Sequence, residues 1–449
     1  MTSAPARPTL GWLGVIRLGL VQSALGAIIM ICTSTLNRVM VVEIGLPAML
    51  PGALVGLHYG VQMSRPHWGH GADVGGKRAP WIIGGMATLG LGATGAAAAT
   101  AIMASAPWLG IALAMLAFAV IGVGVGAAGT NLLALLAART APSRKAAAAA
   151  IVWIMMIFGF VLTAGISSQF LDPFTYTRLV VVTAVVSAIA FSIAVLAVLG
   201  VEKGAAASQL SPAAKSSEGF KQTLAEIWSD TAARRFTIFV FVSMLAYSAQ
   251  DLILEPFAGL IYGYTPGEST AMAGVQNGGV LLGMIATAII GTTIGKSRAS
   301  FMRAWTVGGC LASTLALFAL AGAAWTGPAW PLDPLVFALG LANGAFAVAA
   351  IGSMMTLASA AGDQREGIRM GLWGASQAIA FAIGGFAGAA ALDGVRALLG
   401  DPSIAFTTVF AVEGALFAVA AGLALWVGRT SADDMTLPAL PAGDILPAE

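Results

Sequence analysis

The residues with types and spacing suited to chemistry are polar and ionisable side chains set inside long apolar runs. LNRVMVVEIGLPA holds Asn37, Arg38 and Glu43. His58 and Gln62 follow, one helical turn apart and so on one face. Asn131 stands alone in a later run. Gln250, Asp251 and Glu255 share another, Gln276 and Asn277 the next, and Glu413 the last. Such groups cost free energy in an apolar setting and mark substrate, ion or proton sites. Asp251 and Glu255, a turn apart, suit carrying a proton; Arg38 suits pairing with a carboxylate. One reading pairs Arg38 with Glu43, Asp251 or Glu255 only to hold the bundles together; Arg38 and Glu43 are five residues apart, a poor fit for one α-helical face, so a partner from the other bundle is the preferred reading.

A second cluster is polar throughout: SRPHWGHGADVGGKRAPW, residues 64–81. It carries His67 and His70, the i, i+3 spacing of a zinc pair. Two ligands do not make a zinc site, and Asp73 is the only carboxylate nearby, so these histidines read as loop residues that pack, with a ligand- or substrate-guiding role as the alternative. GLGATG (90–95) and GVGAAG (124–129) match a dinucleotide fingerprint in spelling, but each lies inside an apolar run with no strand before it. They read as small residues that let helices approach. There is no P-loop, no nucleophile–base constellation and no basic surface for nucleic acid.

The elements that must position these residues follow from composition. Charged residues are 9% of the 449, against roughly a quarter in soluble proteins, apolar residues are 58%, and the mean hydropathy is +0.88. Too few charges remain to keep a globule in water, so the chain reads as an integral membrane protein. Apolar runs long enough to span a bilayer recur twelve times, near 15–42, 46–63, 80–104, 108–137, 146–168, 177–200, 235–256, 270–294, 300–322, 332–358, 368–392 and 402–427. Backbone groups in lipid must be satisfied within the segment, so these are expected to be helices. The first run is too long for a signal-peptide core. Cys32 and Cys310 each lie in a run of their own and read as small buried side chains.

Basic residues order the map. Nineteen of the 22 fall at the N-terminus, in every second connection or after the last run; Arg178 and Arg396 lie on the opposite side and Arg38 inside a run. The positive-inside rule then puts both termini and the long central connection in the cytoplasm. That connection divides the runs six and six. It places Phe220, Leu224, Ile227 and Trp228 at helical spacing, as in an amphipathic surface helix. The expected organisation is a six-helix bundle over 1–200, a linker over 201–234, a second bundle over 235–428 and a disordered tail over 429–449. The halves also echo each other. Glu43 and Glu255 close runs one and seven, and ARTAPSRKAAAAAIVW resembles SAAGDQREGIRMGLW about 220 residues later. Two related bundles around a central axis follow.

Within the polar stretch, Gly69, Asp73, Gly76, Lys77 and Arg78 carry the pattern G-x-x-[AS]-D-x-x-G-[RK]-[RK]. It resembles the loop signature of the major facilitator superfamily, between the second and third spans as that family requires. The reading is a latch: Asp73 caps a helix and accepts bonds from a neighbouring bundle, Gly76 permits the turn, and Lys77 and Arg78 hold the anionic leaflet. The matching loop GTTIGKSR lacks the aspartate. The resemblance implies an all-helical fold of two six-helix bundles, with spans 1, 2, 4, 7 and 8 lining one central cavity.

Residues 36–60, 64–86 and 146–166 together resemble a narrower branch, the PucC/LhaA bacteriochlorophyll delivery family of photosynthetic bacteria. That resemblance implies a non-enzymatic factor in the inner or intracytoplasmic membrane that assembles light-harvesting antenna complexes. Its partners would be antenna polypeptides, membrane lipid and pigment-synthesis enzymes, and its cargo or transient ligand (bacterio)chlorophyll. His58, the only histidine inside a span, would be a ligand for the pigment's magnesium, with Gln62 or a carboxylate in support. A proton-coupled transporter of a small solute, using Asp251 or Glu255, and a pigment-free scaffold are the competing readings.

Overall fold

The computed structural model describes residues 10–65, 68, 77–141, 144–202, 228–229, 231–293, 298–360 and 366–433. Among the described residues, twelve helices make up the molecule. They are α1 (Trp12–Glu43), α2 (Met49–Val61), α3 (Ala79–Met103), α4 (Pro107–Arg139), α5 (Lys145–Leu171), α6 (Tyr176–Val198), α7 (Thr231–Tyr262), α8 (Pro266–Thr293), α9 (Arg298–Thr326), α10 (Leu332–Ala360), α11 (Glu366–Leu399) and α12 (Pro402–Asp433). Eleven are long and apolar enough to span a membrane. The exception is α2, thirteen residues long, which a 3-10 turn at Gln62–Ser64 extends. The last helix runs through Asp433, and the rest of the expected tail, 434–449, lies outside the described residues. Of the amphipathic set in the linker only Trp228 is described, and it is exposed.

The internal duplication is visible in the packing. Within the first half α1 packs on α5 and α6, α3 on α4 and α6, and α2 on α4. Within the second, α7 packs on α11 and α12, α9 on α10 and α12, and α8 on α10. Each pair has its counterpart six helices later. The halves meet through α5 against α8 and α2 against α11, again a related pair. One buried cluster gathers Leu18, Met86, Phe118 and Leu132 of the first half; another gathers Phe239, Phe257, Phe346, Phe410 and Phe417 of the second.

Small residues let helices cross closely. A methyl group on Gly124 would lie 2.5 Å from the backbone nitrogen of Leu89, and one on Gly85 2.5 Å from that of Ala128. The α3 and α4 backbones therefore touch where the second glycine fingerprint lies, and packing accounts for it. Outward faces carry Leu91, Trp108, Leu196 and Leu315, which the chain alone leaves exposed and a bilayer would cover.

The first helix is not a plain α-helix. Two π turns, Ile31–Thr35 and Val39–Glu43, interrupt it, and the Ile44 N–H donates to the Val39 carbonyl five residues back. Such turns widen the helix by one residue and re-aim the side chains beyond them.

Candidate functional site

The π turn at Val39–Glu43 decides how Arg38 is held. It brings residues five apart onto one face, and Arg38 Nη1 lies 2.5 Å from Glu43 Oε1. The spacing that fits one α-helical face poorly is accommodated because the helix is not α-helical there. Arg38 also finds its partner in the other half, since Nη2 donates to the Tyr264 carbonyl at 2.5 Å. Arg38 is 2% exposed, Glu43 30%. Next to it, Asn37 Nδ2 donates to the Leu252 carbonyl on α7 at 2.6 Å, and Thr35 meets Thr270 of α8 at 3.2 Å between hydroxyls. Glu255, one turn beyond Leu252, is buried with neither carboxylate oxygen hydrogen-bonded.

Above this seam opens a cleft of about 540 Å³ lined by Arg38, Glu43, Asp172, Phe174, Tyr264 and Glu268. It lies on the face where α1, α5 and α7 end, here termed the far face. Partial burial, then the carboxylates of Asp333 and Glu268, raise the Tyr264 hydroxyl above its ordinary pKa of 10.0, so it stays protonated at neutral pH.

Two carboxylates missed at the level of sequence hold the halves together on that face. Asp393, near the end of α11, accepts from the backbone N–H groups of Ala48 (3.0 Å) and Met49 (2.7 Å) at the start of α2. Asp172, just after α5, accepts from the Thr265 hydroxyl (2.6 Å) and the Gly267 N–H (3.3 Å) at the start of α8. The two clamps are related by the same six-helix shift as the packing. Each sets an anion on the free donors of the other half's helix start.

His58 and Gln62 form a second cluster, inside the first half. His58 Nδ1 lies 3.3 Å from the Val55 carbonyl, and Gln62 Nε2 lies 2.8 Å from His58 Nε2. Arg65 donates to Gln62 Oε1, which fixes the amide with its N–H groups toward the ring. The consistent tautomer carries the proton on Nδ1 and leaves the Nε2 lone pair accepting from Gln62. Nearby on α4, Asn131 donates to the carbonyls of Ala127 (3.0 Å) and Trp68 (3.3 Å), tying down the start of the polar stretch.

A third cluster spans the halves. Tyr59 of α2, Phe381 of α11 and Tyr247 of α7 form a row with ring centroids 5.6 and 5.8 Å apart. Asp251 interacts electrostatically with both tyrosines and with Glu413 of α12, whose buried carboxylate has no hydrogen-bond partner. Most of the polar residues expected to face one central cavity are thus divided among three clusters, with no hydrogen bond between clusters among the described residues; Asn277 donates instead to the Ala273 carbonyl of its own helix.

In the loop motif, Gly69, Asp73 and Gly76 lie outside the described residues, as do His67 and His70. Lys77 and Arg78 are described. The Arg78 and Ala79 N–H groups donate to Glu202, which follows α6, at 2.9 and 3.0 Å. That start of α3 is therefore capped from within its own half.

The family described as PUCC protein matches residues 35–432. A Rhodobacter capsulatus protein named bacteriochlorophyll synthase 44.5 kDa chain is 48% identical over 93% of this chain and 96% of its own. The Protein PucC of Cereibacter sphaeroides is 27% identical over 90% and 89%. Among solved structures, a peptide transporter POT in complex with sulfate aligns at 16% identity over 94% of this chain and 97% of its own, with a TM-score of 0.66. A bacterial homologue of the lysosomal transporter Spinster, inward-facing, covers 95% and 98% at 0.63. These structures share the fold alone, that of the major facilitator superfamily.

Proposed function

The chain belongs to the PUCC protein family, a group of multi-pass membrane proteins, and on that premise we propose that it is an assembly factor that hands bacteriochlorophyll to light-harvesting antenna polypeptides. The observation that carries this reading is the family match over nearly the whole chain, backed by a relative named for bacteriochlorophyll synthesis. The protein would act without catalysis, as a carrier in the inner or intracytoplasmic membrane with both termini in the cytoplasm. Antenna polypeptides, lipid and pigment-synthesis enzymes would be its neighbours.

His58 is the side chain best prepared to hold the pigment. A magnesium-ligating histidine needs a lone pair on one ring nitrogen and a donated bond on the other to fix the ring. Here Nδ1 faces the Val55 carbonyl and Nε2 is the acceptor. Gln62 fills that acceptor now; turning its amide away would present Nε2 to magnesium. The pigment supplies the Lewis-acidic metal and the flat macrocycle. The protein supplies the imidazole, the amide that guards it and the Tyr59–Phe381–Tyr247 row behind it. Asn37, Arg38, Glu43 and Asn131 would support the cavity, and Asp251 and Glu255 would stabilise or release cargo. Lys77 and Arg78 would hold the latch loop at the membrane surface.

Pigment bound per protein tests this. His58→Ala is expected to abolish it with the fold intact, and Gln62→Ala to preserve or raise it. Equal pigment in His58→Ala and parent would remove His58 from the site.

A further inference from the structure

We infer that Asp251, together with the rings of Tyr247, Phe381 and Tyr59, forms a site between the halves for an organic ammonium ion. Nothing in it depends on pigment. Its parts come from three helices. Tyr247 and Asp251 stand one turn apart on α7 and so share a face. Tyr59 of α2 and Phe381 of α11 complete the wall, the Phe381 ring tilted by 52° to Tyr59 and by 49° to Tyr247. The Asp251 charge acts on both tyrosines, which sets the carboxylate beside both ends of the row.

The carboxylate is deep and has no cation of its own. Asp251 and Glu413 lie about 16 Å from the far-face ends of α7 and α12, at Tyr262 and Pro402, roughly half the hydrocarbon thickness. Neither carboxyl makes a hydrogen bond among the described residues. Arg65, whose charge acts on Tyr59, donates to Gln62 and does not act on Asp251. Arg38 acts on Glu255 instead. Glu413, 2% exposed, stands within the field of Asp251 and adds to the negative potential. A carboxylate at this depth is costly unless something pairs with it.

The site is open where the acid is. On α7, residues 248–250 and 252–258 are all buried, while Tyr247 and Asp251 each keep part of their surface accessible. Tyr59 and Phe381, which face them, do the same. The opening is therefore confined to the carboxylate and the ring faces. A ring face attracts a cation through its quadrupole, and aromatic walls with a negative charge are the recognition chemistry of alkylated ammonium ions. The described residues contain no group of three acids, histidines or cysteines fit for a transition metal. A hard metal ion would need a shell of oxygens, and rings occupy those positions here.

The test is calorimetric titration of the purified full chain in mild detergent with benzyltrimethylammonium, with benzyl alcohol as the neutral control. Saturable binding of one cation per chain is expected, and none of the alcohol. Asp251→Asn should weaken binding about 30-fold or more. Tyr247→Leu should weaken it about fivefold, and Tyr247→Phe, which keeps the ring face, should retain it. Asp401→Asn, which removes an acid outside the site, should bind like the parent. No saturable binding to the parent overturns the proposal, as does equal affinity in Asp251→Asn. Loss in Glu268→Gln with binding intact in Asp251→Asn moves the cation to the far-face cleft and also overturns it. Should Asp251→Asn fail to fold, the Tyr247 pair decides: parental affinity in Tyr247→Leu overturns the site, and weakening in Tyr247→Leu but not in Tyr247→Phe supports it.

Discussion

Removing the charge from Asp172 and Asp393 should let the far face open. Each carboxylate joins one half to two donors at the start of a helix in the other, at 2.6 and 3.3 Å for Asp172 and 2.7 and 3.0 Å for Asp393. Hydrogen bonds to a charged group contribute about 1.5–3 kcal/mol each when buried. Asparagine keeps one acceptor oxygen and loses the charge, and these rim positions are partly wet. The figure per site is then about 1 kcal/mol. The two sites share no partner, so the double variant loses about 2 kcal/mol of closure, roughly a 30-fold shift toward an open far face. The assay places a cysteine at Val42, which lines the cleft, in a Cys32→Ala, Cys310→Ala background. Its labelling by a membrane-impermeant maleimide reports the open population. We expect about a fivefold faster rate in each single variant and about 30-fold in the double. Asp401→Asn should change nothing, because Asp401 caps only Ser403 of its own helix. A double variant that labels at the parent rate would refute the clamp.

Three further outcomes follow from the packing and the π turn. Glu43→Gln leaves Arg38 buried with only the Tyr264 carbonyl; the cost is about 1–2 kcal/mol, below that of a fully buried pair because Glu43 is 30% exposed. Melting curves should show it, and Arg38→Gln in the same chain should recover part of the loss. Gly124→Ala forces the α3 and α4 backbones apart at about 1–3 kcal/mol, whereas Gly95→Ala, whose new methyl would sit 3.8 Å from Ala117, should melt like the parent. Glu202→Gln should weaken the start of α3 by about 1 kcal/mol, seen as faster hydrogen exchange at Ala79 and its neighbours.

The twelve helices were legible because lipid imposes one rule, an apolar run long enough to satisfy its own backbone. The duplication was legible because turn sequences and acids recur half a chain apart. The site was legible only as a set of residue types. Arg38 and Glu43 were kept apart by the assumption of 3.6 residues per turn, and nothing in LNRVMVVEIG marks the π turns that pair them. Asp172, Glu202 and Asp393 were passed over in the sequence, because a carboxylate that caps a distant helix carries no local signal. The division of the polar residues into three clusters depends on which neighbour each helix face meets. That information lies in the packing of α2 on α4 and α11, and of α1 on α7, not in any one segment.

The most direct measurement is the absorption spectrum, from the Soret region to the near infrared, of the protein purified in mild detergent from a pigmented host. The account predicts a bacteriochlorophyll band in fixed ratio to a monodisperse protein peak, lost in His58→Ala and kept in Gln62→Ala. A colourless parent protein that still crosslinks to antenna polypeptides would contradict pigment delivery and leave a scaffold.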